Sequence, residues 1–267
     1  MKMAVWNLKM NVLHLENNKK QEPQKVSRLL SGGGDFEAPD LAVFLEISNE
    51  DLEPSGGVWL PQRPNAGFPY SGIRLWHRRK IAVTPLDAPD FSDVNAAAAY
   101  YVSPSSVGEM KFTPFVLIPF WALPVNGDGK PEKKRKYLEE LEKVLSKCRD
   151  AFFSGTGTQN VLITGDTNLT DRERAGLNAY LEDFDRECSA GMTLPDLSAP
   201  PEEAGSVPGK RPHDTLFHCG GWFACDLAIA SGTFAPHIEG RIGRYAIWYG
   251  PRDAAGSDHL PLYFTVS

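Results

Sequence analysis

The segment from Val161 to Thr170, VLITGDTNLT, constrains this chain more than any other. Val161, Leu162, Ile163 and Thr164 form an apolar or β-branched run, the composition of a short buried strand. Gly165 interrupts the run, and Asp166 and Asn168 follow two apart. A buried strand that ends this way carries a carboxylate and a carboxamide to the mouth of a sheet. Asp and Asn in such a place are also ordinary turn and N-cap residues. The segment becomes a candidate site only if the rest of the chain supplies partners.

The same grammar recurs. Residues 41–48, LAVFLEIS, are an apolar run closing on Glu46. An unpaired buried carboxylate is costly, so Glu46 belongs at a strand end, beside a cation or a donor or facing water. Lys2 to Met10 reads as a first strand with Asn7 inside it, although the Asn amide competes with ladder hydrogen bonds. Gly221 to Ser231 is a strand containing Asp226. Tyr245 to Tyr249 and Leu262 to Val266 are further strands, with Ser257, Asp258 and His259 just before the last.

Between these lie ordinary elements. Glu22 to Ser31 is a short helix with Pro23 in its first turn and Gly32, Gly33 and Gly34 ending it. Gly72 to Leu86 is a hairpin around the basic cluster His77, Arg78, Arg79 and Lys80. Ala96 to Val102 and Lys111 to Leu117 are strands. The second runs on into FVLIPFWALP, where Pro119 and Pro124 should end regular pairing and leave Trp121 at or just beyond the strand end. Lys130 to Phe153 keeps apolar residues at helical spacing. Its basic first turns, 130–136, oppose the helix dipole, so they are a solvated face or a phosphate-facing patch. Thr170 to Glu173 fits a capping box that opens another helix. Met192 to Thr215, with five prolines, is a long loop.

The 267 residues are 42% hydrophobic and 23% charged, with a net charge of −6. That balance fits a globular chain and excludes a generally basic nucleic-acid coat. Cys148, Cys188, Cys219 and Cys225 form no CxxC pair, and free buried thiols are the expectation. No signal peptide or spanning segment is legible, so a cytoplasmic protein with no membrane partner is expected. No repeat or charge break divides the chain. One mixed domain over residues 1–267, built on two packed sheets, fits the element order.

Asn7, Glu46, Asp166, Asn168, Asp226, Asp258 and His259 are the polar residues that stand oddly at strand ends. Their hard oxygen donors suit Mg²⁺ or Mn²⁺ rather than Zn²⁺. The ordered set of WN, FLEIS, GDTN, DLAIAS and SDHLPL resembles the endonuclease/exonuclease/phosphatase superfamily. Its members include DNase I, exonuclease III-type AP endonucleases, inositol polyphosphate 5-phosphatases and neutral sphingomyelinases. The resemblance spans residues 3 to 266. It implies an α+β fold: the DNase I-like four-layer α/β sandwich, two packed mixed β-sheets with helices on the outer faces. It also implies roles. Glu46, Asp258 and Asn7 are the metal ligands. Asp166 handles the proton of the attacking water, and Asn168 holds that water or a phosphate oxygen. His259, steadied by Asp226, contacts the scissile phosphate. Where many members carry an NxHL pattern this chain has Trp121, a candidate substrate contact. Tyr100 and Tyr101 are candidates for the tyrosine of AP endonucleases, or core residues.

The resemblance therefore implies a Mg²⁺- or Mn²⁺-dependent hydrolase of phosphate esters. A nuclease acting on DNA or RNA is preferred, with the basic runs at 77–80 and 130–136 following the backbone. A phosphatase or phosphodiesterase for a small or lipid phosphate is the alternative, and a binding protein that has lost catalysis is a third.

Overall fold

The computed structural model describes residues 1–8, 15–32, 38–48, 56–65, 68–94, 96–122, 130–154, 159–169, 171–188, 192–193, 197, 210–211, 213–218, 221–243, 257 and 259–267. The chain order is β1 (Lys2–Asn7), α1 (Leu15–Ser31), β2 (Leu41–Ile47), β3 (Val58–Trp59), β4 (Arg63–Asn65), β5 (Phe68–His77), β6 (Ile81–Pro85) and β7 (Tyr100–Pro104). It continues with β8 (Phe115–Trp121), α2 (Lys130–Cys148), β9 (Val161–Asp166), α3 (Asp171–Cys188), β10 (Leu216–His218), β11 (Gly221–Phe223), β12 (Asp226–Ala230), β13 (Ile238–Ile242) and β14 (Leu262–Val266).

Two sheets carry the fold. One runs β13-β14-β1-β2-β5-β3, with β4 also paired to β5; the other runs β12-β9-β8-β7-β6. Each has one parallel pair, β1 with β2 and β8 with β9, and is otherwise antiparallel. Parallel neighbours need a crossover. α1 connects the first pair and α2 the second. The C-terminal ends of these pairs bring Asn7, Glu46 and Asp166 together.

Strand alternation explains the layers. On β8, Phe115, Leu117 and Trp121 belong to the core between the sheets, whereas Val116, Ile118 and Phe120 face the cluster that holds Leu141, Val144 and Leu145 of α2 and Leu177, Leu181 and Phe184 of α3. Leu162 and Val161 of β9 divide in the same way. Val26, Leu29 and Leu30 of α1 complete the core of the first sheet. The order of layers is thus helix, sheet, sheet, helices, as the resemblance implies.

Several boundaries differ from the sequence reading. α1 begins at Leu15, so Pro23 falls inside it; residues 16–22 are all polar and gave no apolar period to read. β8 continues through Pro119 to Trp121. The Val116 N–H donates toward the β9 side at Asn160, and the Trp121 N–H donates toward Ala96 on the opposite side. Pro119 shares the parity of Trp121, so its missing N–H falls on the β7 side. There the regular pairing has ended at Tyr100 opposite Leu117, and only an isolated bridge at Ala97 remains. β7 accordingly starts at Tyr100 rather than Ala96. The helix expected to reach Phe153 is α-helical to Cys148 and finishes as a π turn, Arg149–Phe153. The strand read over 221–231 is two, β11 and β12. The expected strand at 245–249 lies outside the described residues. Cys148 is free, and Cys148 and Cys225 are both buried; burial pushes the Cys148 thiol up, which keeps it unreactive. Among the described residues no helix is long and apolar enough to cross a membrane.

Gly165 is the residue that lets β9 end where it does. Its φ is +150°, and a Cβ there would stand 1.8 Å from the Phe120 carbonyl oxygen and 3.2 Å from Leu45. Gly165→Ala should therefore cost about 2 kcal/mol or more. In urea unfolding, the midpoint should fall while the slope stays constant; an unchanged midpoint would contradict the close approach.

Candidate functional site

Asp166 is the last residue of β9 and is 1% exposed. Its parity with Leu162 points it between the sheets, where it meets Asn7 from β1. The Asn7 amide, Nδ2, donates to Asp166 Oδ2 at 2.9 Å and to Glu46 Oε1 at 3.0 Å. One NH₂ group thus joins two carboxylates from different sheets.

Glu46 reaches this place by a backbone irregularity. Its φ is +52°, and the β2–β5 register shifts between Phe44 and Ile47. A β-bulge re-aims a side chain in this way. A left-handed conformation at a non-glycine residue costs about 1–3 kcal/mol and persists only where the surroundings hold it. Asn168, with φ +53°, adopts the same region, which Asn tolerates better. The Asn168 N–H donates to Asp166 Oδ1 at 2.8 Å. Its Nδ2 donates to the Ala122 carbonyl at 2.9 Å and to Asp166 Oδ2 at 3.2 Å. Asp166 is therefore oriented from three directions.

On the other side, His259 Nδ1 lies 2.8 Å from Asp226 Oδ2. That contact leaves His259 Nε2 facing Asp166 Oδ2 at 3.8 Å. β12 and β9 place Asp226 opposite Asp166 in register. The His259 backbone is fixed as well. Its N–H donates to the Ser257 hydroxyl, which donates to the Asn7 carbonyl at 2.6 Å, and the Trp6 indole N–H donates to the His259 carbonyl at 2.8 Å. Thr215 accepts from the Asp226 N–H at 3.1 Å, and its carbonyl accepts from the Leu260 N–H at 2.7 Å. The sequence assigned no role to Trp6, present only as part of the WN piece, or to Thr215, because they act on backbone atoms brought near only by folding.

Asn7, Glu46, Asp166, Asn168, Asp226 and His259 are thus assembled in one place. Asp258 lies outside the described residues. Trp121 sits beside Asp166 in the parallel register but is 3% exposed within the core between the sheets. Its observed place is one of packing, and it offers no open face to a substrate. Tyr100 is buried in the same core, while Tyr101 is 42% exposed. Glu46 and Asn168 are the half-buried members of the cluster, so its accessible side is theirs.

Two groups of ligand atoms are candidates for a cation. Asp166, Asp226 and His259 offer ligand atoms within 4.8 Å of one another. That closeness includes the Asp226–His259 hydrogen bond, which an ion in their midst would have to break. The Glu46–Asn7–Asp166 side has the oxygen-rich chemistry that a hard divalent cation prefers.

Burial pushes the Asp166 carboxyl up to about 8; His259 opposes the rise, and the negative charges of Asp226 and Glu46 add to it. A carboxyl whose proton is held more tightly in the folded state stabilises the fold fully below its ordinary value, near 4, and loses that contribution as pH climbs through its folded value. With EDTA present, the urea midpoint should therefore fall between about pH 5 and about pH 8 more steeply for the wild type than for Asp166→Asn. Parallel profiles for the two proteins would contradict the assignment.

No protein-family model matches the chain, and no curated protein does. Solved structures do. Humanized D. rerio TDP2 shares 16% identity, with 100% of this chain and 98% of that one covered and a TM-score of 0.61. The endonuclease domain of TRAS1, a telomere-specific non-LTR retrotransposon, shares 12% identity, with 99% and 97% covered and a TM-score of 0.56. The Neisseria 3′ phosphatase NExo, bound to a product DNA hairpin, shares 16%, with 100% and 99% covered and a TM-score of 0.53. The two packed mixed sheets, their outer helices and these likenesses give the chain the DNase I-like α+β sandwich fold that these solved structures share.

Proposed function

We propose that this chain is a divalent-cation-dependent phosphoesterase, and within that class a nuclease that cleaves phosphodiester bonds of DNA or RNA. The observation that carries the reading is the Asn7 amide bridging Glu46 and Asp166, with the Asp226–His259 pair alongside. The likeness to an endonuclease domain and to a phosphatase holding a DNA product supports it.

The donor set fits Mg²⁺ or Mn²⁺. Glu46, Asn7 and Asp258 are the residues that would hold it, and the negative charges of Asp226 and Glu46, which add to the rise that burial imposes on Asp166, are of the kind a dication relieves. When bound, the cation supplies charge neutralisation to an anionic phosphate. The chain's own groups do the rest. Asp166 accepts the proton of the attacking water, and a raised proton affinity suits a base working near neutral pH. Asn168 commits both amide hydrogens to Ala122 and Asp166, so it acts by aiming Asp166 and by offering Oδ1 to the water. His259, oriented through Nδ1 by Asp226, presents Nε2 to a phosphate oxygen and offsets its growing charge.

One expected support for the polymeric substrate falls away. His77 pairs with Leu41, at the start of β2 and opposite the end that carries Glu46. Arg78 and Lys80 pair with Asp40. The 77–80 cluster thus ties the far end of the sheet and does not line the site. The basic first turns of α2 follow β8 at the site end, with the side chains of 130–136 outside the described ones. This favours keeping a small phosphate ester as the second reading.

Hydrolysis of plasmid DNA, RNA and bis-p-nitrophenyl phosphate with Mg²⁺ or Mn²⁺, and with EDTA, tests both readings. Metal-dependent cleavage of the polymers is expected. Turnover of the small ester alone would remove the nuclease preference, and no turnover would remove the phosphoesterase reading. Asp166→Asn should lower kcat by about 10² or more. Glu46→Gln should raise the metal concentration for half-maximal rate; an unchanged midpoint would count against its ligand role.

A further inference from the structure

α1 is fastened to the ends of β1 and β2 by charge as well as by apolar packing. Glu22 and Lys25 are 1% and 3% exposed. The Glu22 carboxylate accepts from the Ser48 N–H through Oε1 at 2.8 Å and from the Ser48 hydroxyl through Oε2 at 2.5 Å. Lys25 Nζ donates to the Leu8 carbonyl at 2.9 Å. Leu8 directly follows Asn7, and Ser48 stands two residues past Glu46.

Packing alone does not ask for these charges. Val26, Leu29 and Leu30 already seat the helix in the core. A buried carboxylate and a buried ammonium carry desolvation costs that apolar side chains of similar size avoid, so what they specify matters more than what they stabilise. Both are aimed at backbone just beyond a site residue. Glu46 needs such support, because a non-glycine residue at φ +52° stays there only when its neighbours fix it. Gln62 adds another tie, its Nε2 donating to the Ile47 carbonyl at 2.6 Å. The Leu8 N–H donates to the Leu45 carbonyl at 3.0 Å, joining the two strand ends to each other.

We infer that Glu22 and Lys25 are positioning residues for the Asn7–Glu46 limb of the site. Acting through the backbone of Ser48 and Leu8, they keep the Asn7 amide bridging Glu46 and Asp166. The inference deepens the reading of this limb as the cation-holding side and takes its functional meaning from that reading. Neither residue touches the reacting atoms.

The test reads the bridge directly. In ¹⁵N-labelled protein with EDTA, the Asn7 side-chain amide signals are compared among wild type, Glu22→Ala, Glu22→Gln, Lys25→Met, Ser48→Ala and Leu29→Ala. Leu29→Ala removes apolar packing from the same helix and controls for lost stability. Glu22→Ala and Lys25→Met should move the Asn7 amide toward the position of a free amide. They should also raise the Mn²⁺ dissociation constant measured by calorimetry about 10-fold, the scale of lost outer-shell support. Glu22→Gln keeps an acceptor for the Ser48 N–H and should stay near wild type. Leu29→Ala should lower Tm and leave the Asn7 signals in place. If Glu22→Ala does not fold, Lys25→Met and Ser48→Ala carry the comparison, the latter with a smaller shift in the same direction. Unmoved Asn7 signals in the folded variants, or an equal movement in Leu29→Ala, would overturn the inference. Absence of turnover in the wild type would overturn the phosphoesterase reading instead, since the amide signals need neither metal nor substrate.

Discussion

The side-chain amide of Asn7 hydrogen-bonds to carboxylates from both sheets, and the rest of the site is arranged around that contact. Asn7 comes from the first sheet and Asp166 from the second, so the bond exists only when the sheets pack in one relative position. Strand side chains alternate with period two. A one-residue slip of β9 would turn Asp166 toward α2 and α3 and bring Gly165 to the gap between the sheets. The core residues Leu162, Leu45 and Leu117 hold that register, which makes the chemistry of the site a consequence of the apolar core.

The two parallel pairs explain why the site is where it is. In each sheet a helix-connected parallel pair ends at the same edge, and the four strand ends bring Asn7, Glu46, Trp121 and Asp166 there. Three of these are polar. The fourth, Trp121, fills the core beside Asp166. The antiparallel neighbour β12 then adds Asp226, and His259, three residues before β14, completes the set. At the opposite edge, Asp40 accepts the Lys2 backbone N–H and pairs with the cations of Arg78 and Lys80. The two cations that pair with Asp40 thus stand at the end of the first sheet away from the acidic cluster.

Much of this was legible in the sequence. Apolar runs that end on Asn, Glu, Asp or His conflict with strand propensity, and such conflicts mark functional places. That is why Asn7, Glu46, Asp166, Asn168, Asp226 and His259 could be named before their distances were known. What stayed hidden depends on long-range geometry. Pro119 reads as a strand terminator because sequence does not reveal which neighbour its missing N–H faces. Glu22 reads as a helix-start residue because its partner, Ser48, is distant in the chain. The 77–80 cluster reads as a phosphate track because the register that places it opposite Leu41 is absent from local composition. The bulge at Glu46 also left no local mark, since its left-handed backbone is imposed by pairing with β5 and by the contacts beyond it.

The central claim is that a hard divalent cation belongs where the ends of the two parallel pairs meet. Crystals soaked in Mn²⁺ and measured at a wavelength with manganese anomalous signal test it most directly. The account predicts an anomalous peak about 2 Å from a Glu46 carboxylate oxygen, on the side of Asn7 and Asp166. A peak seated between Asp226 and His259 with Glu46 unbound, or no peak near Glu46 in a crystal that binds Mn²⁺ elsewhere, would contradict it.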